Sequence, residues 1–300
     1  MLNKIRAYLE LMRPANIVTA FADILAGFAV AGGVIIFTGE AALFSHEGLW
    51  WLLLSTFGLY GGGVVFNDVF DAELDAVERP ERAIPSGRVT KFQASLLGTL
   101  LHLIGVITAF QVNQTAGFIA ITIAMLTIIY DSKAKHSVVF GPLFMGLCRG
   151  GNLLLGISIV PGILFQSWFL AFIPIVYIAS ITLISRGEVS GGNKMHGYIA
   201  VGMLTTVMIA LLIFAVIPEY RLLTALPFLL LFAWMVFPAY LNAAINPEAL
   251  TIKNAVKRGV LSLIFLNSVI AAGFSGLILG LIVALLFPIS LLFSKLFAVT

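Results

Sequence analysis

Between Asn67 and Gly87 the chain reads NDVFDAELDAVERPERAIPSG, acids and arginines packed into an otherwise oily sequence. Asp68, Asp71 and Asp75 recur at i, i+3 and i+7, which on a continuing helix places three carboxylates on one face with Asn67 beside them. Oxygen donors of this kind do not suit zinc, which prefers nitrogen and sulfur. They suit Mg2+, which takes a few carboxylates and completes its shell with water and phosphate oxygens. Arg79, Arg82, Arg88 and Lys91 follow directly. Guanidinium forks match phosphate oxygens and lysine adds a point charge. Acids for a metal followed by bases for phosphate describe a site for a diphosphate carried on Mg2+. The competing reading is a solvated juxtamembrane loop whose acids and bases pair with one another. The helical phase of three acids at a membrane edge, with a Pro-Ser-Gly turn after them, favours the metal–diphosphate site.

The elements that must hold this stretch are membrane helices. The chain has 300 residues, 60% hydrophobic and 10% charged, far less charge than a soluble domain of this size exposes. A bilayer-spanning helix needs ~20 apolar residues, and such blocks recur at Ile17–Thr38, Leu49–Val69, Phe92–Val112, Gly117–Tyr130, Val138–Val160, Trp168–Ser185, Ile199–Ile217, Leu222–Leu241 and Val256–Ala272. A further block, Leu277–Phe293, follows a Gly-Phe-Ser-Gly break. Lys and Arg mark every second loop: Lys4, Arg6 and Arg13; Arg79 to Lys91; Lys133 and Lys135; Arg186 and Lys194; Lys253, Lys257 and Arg258. The intervening loops carry Glu40, Glu47, neutral residues, and Glu219 with Arg221. By the positive-inside rule the N-terminus and these basic loops are cytoplasmic. Lys295 places the C-terminus on the same side and favours ten crossings over nine. The first block is longer than a signal-peptide core and lacks a small-residue cleavage site, so it reads as a retained helix. The expectation is an all-α, polytopic membrane protein with residues 1–300 in one domain. Cys148 stands alone, so no internal disulfide is expected. The net charge of +3 is spread over short loops and is not a nucleic-acid signal. No P-loop or G-x-G-x-x-G is present, which argues against nucleotide hydrolysis.

Residues Asn67 to Thr90 resemble the first aspartate-rich motif of the UbiA family of intramembrane prenyltransferases, NDxxDxxxD followed by RPxRPxPSG. Arg13, Pro14 and Asn16 ahead of the first helix fit as well, as does Tyr130-Asp131-Ser132-Lys133 after the fourth. The resemblance implies a helical bundle of about nine crossings around a cytoplasm-facing cavity. It also implies Mg2+-dependent transfer of a prenyl group from its diphosphate to an acceptor, often aromatic. Asn67, Asp68, Asp71 and Asp75 would hold the metal-diphosphate, and Arg79, Arg82, Arg88, Lys133, Lys135, Arg186, Lys194 and Asn16 would bind substrate. An apolar cavity would shelter the allylic cation, which aromatic faces attract.

The second aspartate motif of that family, DxxDxxGD or close to it, reads ISRGEVSGGNK here. Aligned on the glycines, Ser185 and Glu188 stand for the first two acids and Gly192 for the third, with Asn193 adjacent. Glu188 is then a lone carboxylate for a second Mg2+, a poor site by charge. Either Arg186 and Lys194 replace the lost metal charge or the second site has decayed. This loop and the GLCRGGN of helix five look like the divergent EboC-like branch, associated with trafficking or export of a natural-product precursor. A lipid-diphosphate-binding protein without the standard transfer is therefore the rival reading; a secondary transporter is disfavoured because the charge cluster lies at the membrane edge rather than the midplane. Arg149 and Asn152 sit three apart on one face of helix five, and a charge at that depth faces the bundle interior. They read as substrate contacts, with an Asp23 ion pair or snorkelling as the alternative for Arg149. His102 reads as a packing residue, and His136 and His196 have no partner at metal spacing.

Overall fold

The computed structural model describes residues 2–32 and 46–297. The expected end of the first crossing at Thr38, and Glu40, lie outside the described residues. The helices are α1 (Leu2–Met12), α2 (Pro14–Val30), α3 (His46–Phe70), α4 (Ala72–Glu78), α5 (Lys91–Phe110), α6 (Gln114–Ser132), α7 (Phe140–Ile157), α8 (Pro161–Ser167), α9 (Phe172–Ser185), α10 (Lys194–Ile213), α11 (Leu222–Ile245), α12 (Ala249–Ser275), α13 (Leu277–Ala284) and α14 (Leu286–Leu296). Among the described residues 9 helices are long and apolar enough to cross a membrane, or up to 10 when α1 and α2, bent by 42°, count as one span. The all-helical, multi-pass architecture read from the sequence is therefore present.

Neighbouring helices pack in a ring, α2 on α3, then α5, α6, α7, α9, α10, α11 and α12, which closes back on α2. The outer faces remain apolar: Leu103, Ile209, Leu230 and Trp234 are all exposed, as lipid-facing positions must be. Polar starts are capped, with Thr90 and Gln93 forming a reciprocal capping box on α5 and Asn113 accepting from the Ala116 amide on α6.

Close approach of the inner helices depends on glycine. A Cβ on Gly27 of α2 would lie 2.4 Å from the Leu153 carbonyl oxygen and 2.7 Å from the Cα of Gly156 on α7. Backbones that meet this closely gain dispersion contact where no hydrophobic force separates protein from lipid. Gly202 on α10 faces open space by contrast, with nothing within 4 Å of its added Cβ. Gly27→Ala should therefore lower stability by about 1–3 kcal/mol through overpacking. Gly202→Ala should be neutral or raise it by up to about 1 kcal/mol. Thermal unfolding of the detergent-solubilised protein checks the pair.

Candidate functional site

Arg13 separates α1 from α2. Proline at the next position keeps Arg13 out of the right-handed helical region; it adopts φ 47°, ψ 70° instead. Among the described residues it is the non-glycine position with positive φ, a conformation held only when surroundings over-determine it. What holds it is an ion pair, Arg13 Nη2 donating to Asp68 Oδ1 at 2.6 Å.

Helix α3 ends at Phe70, and Asp71 (φ −88°, ψ 2°) opens the short helix α4. The hydrogen bonds Asp71 N to Asn67 O (2.9 Å) and Asp75 N to Asp71 O (2.8 Å) carry a near-helical path across the join. The expected three-carboxylate face is thereby divided. Asp71 and Asp75 line the central cavity, whereas Asp68 does not. Asp68 is buried, shared by Arg13 and by Arg82, whose Nη1 lies 3.3 Å from Asp68 Oδ1 and 2.8 Å from Asp75 Oδ2. Asp71 pairs closely with Lys135. The Arg79–Gly87 loop brings Arg79 and Arg82 to the cavity while Pro80, Glu81, Ser86 and Gly87 stay exposed. Ala83 and Val89 are buried, joined by a Val89 N to Ala83 O bond of 3.0 Å. The acid–base pairing that the rival reading required is thus present, at residues that line a cavity.

That cavity has a volume of about 380 Å³ and is walled by α2, α3, α4, α6, α7, α9 and α12. Asn16, Asn67, Asp71, Asp75, Arg79, Arg82, Arg149, Asn152 and Glu188 reach it, together with Ser185. Ile123, Met145, Ile178, Ile181, Val260 and Leu263 supply apolar wall. Several expected phosphate ligands lie elsewhere. Arg88 is held by Glu10 and by the Glu81 carbonyl. Arg186 donates to the Ser137 and Lys135 carbonyls. Lys133 and Lys194 are exposed and do not line the cavity, and Lys135 reaches the site through Asp71. Arg88 and Arg186 are engaged by an acid and by carbonyls far off in sequence. Asn193 caps α10 by accepting from the Met195 amide at 2.8 Å, which engages it away from Glu188.

Glu188 is 8% exposed, and its Oε1 has no hydrogen-bond partner among the described residues. Burial raises its pKa above the usual 4.5, opposed by the nearby charges of Arg79, Lys253, Arg13 and Arg82. Two groups matter more than the sequence suggested. Asp131, buried at the cavity wall, accepts from Asn67 Nδ2 at 2.9 Å, which fixes the Asn67 amide. Arg13 stood in the quoted motif without a role. Its position beside Pro14 was the available signal.

Deeper in, Arg149 Nε lies 2.6 Å from Asp23 Oδ2, and Arg149 Nη2 donates to Thr19 Oγ1 at 2.9 Å. Asn152 donates to Asp23 Oδ2 (2.9 Å) and to the Ala20 carbonyl (3.0 Å), while Thr56 donates to Asn152 Oδ1 at 2.6 Å. Arg149 thus both pairs with Asp23 and faces the cavity, with its guanidinium 5.3 Å from the Tyr60 ring centre. His102 packs against Phe66.

The mouth can be tested for Mg2+ by its donors. They are oxygens: Asp71, Asp75, Glu78, Asp131 and Glu188 line it beside Arg13, Arg79 and Arg82, and Lys135 pairs with Asp71. A divalent cation held by the carboxylates would join them to an incoming diphosphate. The residues fit the ion by chemistry and charge. Among the described residues no three acidic, His or Cys side chains are gathered as a metal cluster, because Asp71 and Asp75 hold Lys135 and Arg82 instead.

The UbiA prenyltransferase family profile matches residues 24–253. Digeranylgeranylglyceryl phosphate synthase of Methanosarcina mazei is 37% identical over 52% of this chain and 55% of its own length. The Ignicoccus hospitalis protein of that name is 30% identical over 65% and 61%. In these alignments the chain spans little more than half the length of such curated relatives. They bear that name rather than the EboC-like one expected from the altered second loop. The apo structure of an Aeropyrum pernix UbiA homolog superposes with a TM-score of 0.69 at 14% identity, covering 91% of this chain and 98% of that one. An Archaeoglobus fulgidus UbiA homolog bound to GPP and Mg2+ superposes at 0.58 and 13%, covering 88% and 99%. At those identities the likeness is one of fold.

Two outcomes are expected. Asp68→Ala strands the partly buried Arg13 guanidinium, while Arg82 keeps Asp75, and should lower stability by on the order of 3 kcal/mol, more than Asp71→Ala, in thermal unfolding. A Glu188 carboxyl with a raised native pKa contributes stability that is full below pH 4.5 and lost as pH rises through its folded pKa. Glu188→Gln should therefore raise the melting temperature at pH 8 relative to wild type by more than it does at pH 5.

Proposed function

The chain belongs to the UbiA prenyltransferase family, and from that premise we propose that it transfers a prenyl group from an allylic diphosphate to an acceptor held in the central cavity, with Mg2+. One observation carries the reading. Asp71, Asp75, Arg79, Arg82 and Glu188 converge on a cavity that Leu59, Ile123, Ile178, Ile181, Val260 and Leu263 of membrane-spanning helices also line. That is the shape of a substrate with a polyanionic head and an oily tail.

Asp71 and Asp75 would hold the ion, with Asn67 and Glu188 as further oxygen donors, in exchange for Lys135 and Arg82. Mg2+ would supply charge neutralisation of the leaving diphosphate. The displaced Arg82, with Arg79 and Arg13, would then face phosphate oxygens. As the C1–O bond breaks, its electron pair leaves with diphosphate. The acceptor's electron pair forms the new bond to C1, and the acceptor loses a proton. Ile178, Ile181 and Val260 exclude water from the allylic cation. The positive-inside pattern of the basic loops supports a mouth that opens on the cytoplasmic side.

The names of the curated relatives favour a geranylgeranyl donor and a lipid acceptor. The GPP- and Mg2+-bound homolog supports the donor class and the ion. The trafficking alternative stands on the single acid left in the second loop, Glu188.

A turnover assay across prenyl diphosphates with Mg2+, scored by diphosphate release, tests the choice. Asp71→Ala and Asp75→Ala should each lower turnover by about a hundred-fold or more, the scale of losing one electrostatic stabiliser. EDTA should abolish it. Unchanged turnover in both variants would sink the metal-site assignment, and donor binding with no release for any acceptor would favour trafficking.

A further inference from the structure

The deep end of the cavity differs in kind from its mouth. Tyr60 lies eleven residues before Asp71 on α3, about 16 Å along the helix axis. There Arg149 is 5% exposed and lines the cavity. Of its donors, Nη2 is committed to Thr19 and Nε lies against Asp23. No hydrogen bond to another described residue engages Nη1. Asp23 is fully buried and does not line the cavity. Its two oxygens are fixed by Asn267 Nδ2 at 2.7 Å and Asn152 Nδ2 at 2.9 Å as well as by Arg149. The cavity floor therefore presents a hydrogen-bond donor whose positive charge is already matched behind it.

We propose that the Asp23–Arg149 pair recognises the far end of the acceptor and selects one whose deep polar group is uncharged: a hydroxyl, carbonyl, ether or amide oxygen. The inference rests on reading the cavity as a prenyl-transfer site. A neutral acceptor atom takes the Arg149 hydrogen bond without bringing a charge out of water. An anion there would give up its hydration in a wall of low polarity. It would also feel Asp23 through the same guanidinium, so Coulomb repulsion removes much of the attraction that repays an ordinary arginine–anion contact. Tyr60 flanks the guanidinium and restricts it to this orientation. Asp23 acts here as a positioning residue: it sets the charge and direction of Arg149 without touching the ligand.

The test uses the full-length protein in nanodiscs and two lipid probes of one shape, radiolabelled oleamide and oleate, measured by equilibrium binding against empty nanodiscs, with and without prenyl diphosphate. Wild type should bind the amide at least ten-fold more tightly than the carboxylate. Asp23→Asn leaves the Arg149 charge unmatched and should bring that ratio to one or below; a purely structural role would weaken both probes alike and leave the ratio unmoved. Should Asp23→Asn not fold, the neutral double variant Asp23→Asn/Arg149→Gln keeps the expected amide preference while weakening both probes. Tighter carboxylate binding by wild type, an unmoved ratio in Asp23→Asn, or no binding of either probe overturns the proposal. Amide preference without product from any acceptor would remove the transfer reading and leave the floor's selectivity in place. Transfer to an anionic acceptor in preference to a matched neutral one would do the reverse.

Discussion

A charge withdrawn from water has to be matched within a few ångströms, and in this molecule that requirement organises the bundle. Hydration is unavailable inside a membrane helix packing, so each buried ion needs a partner of opposite sign and enough hydrogen bonds to fix it. Two such clusters exist at different depths, and the same helices, α2, α3 and α7, link them. At the mouth, Asp68 draws Arg13 into a left-handed backbone and so sets the angle between α1 and α2. At the floor, Asp23 ties α2 to α7 through Arg149 and Asn152 and to α12 through Asn267.

The two clusters differ in how replaceable their partners are. Asp23 has no solvent access, and α7, which supplies two of its partners, cannot retreat from α2 without opening the glycine contact between Gly27 and Gly156. Asp71 and Asp75 are matched instead by Lys135 and Arg82, which sit on a helix-end turn and a loop. A long side chain on a loop can give way to an incoming ion at the cost of a rotamer change; a network locked between helix backbones cannot. The distinction between an exchangeable mouth and a permanent floor therefore follows from where the counter-ions are anchored.

Much of this was legible before any coordinates. Spans, the aspartate phase and the basic loops are local properties, written in windows of a few to twenty residues. The division of labour among the aspartates was not, because Asp68 is diverted by Arg13, fifty-five positions away in sequence. The 244-residue separation of Asn267 from Asp23 hides the floor network in the same way. Two phosphate candidates that miss the cavity, Arg88 and Arg186, share one cause. Sequence places a charge on the correct loop, but which neighbour captures a flexible side chain is decided by tertiary distance, as Glu10 and the Ser137 carbonyl show.

The altered second loop makes physical sense in the same terms. Gly191 adopts φ +85°, and the Gly192 amide donates to the Pro247 carbonyl at 2.8 Å. A Cβ on Gly187 would lie 2.6 Å from the Cα of Gly192. The position that aligns with a third acid is thus spent on closing a tight turn against the start of α12. That closure buries Glu188 at the cavity wall with an oxygen left unpartnered, among Arg79, Arg82, Arg13 and Lys253. Each further carboxylate here would have added desolvation cost and drawn those cations away from the mouth. The bases around that one buried acid come from other segments, the α1–α2 junction, the Arg79–Gly87 loop and α12, and neither Arg186 nor Lys194 of the second loop lines the cavity. A diphosphate at the mouth would therefore meet its cations from Arg13 and the first motif's own loop, while the second loop contributes a carboxyl group.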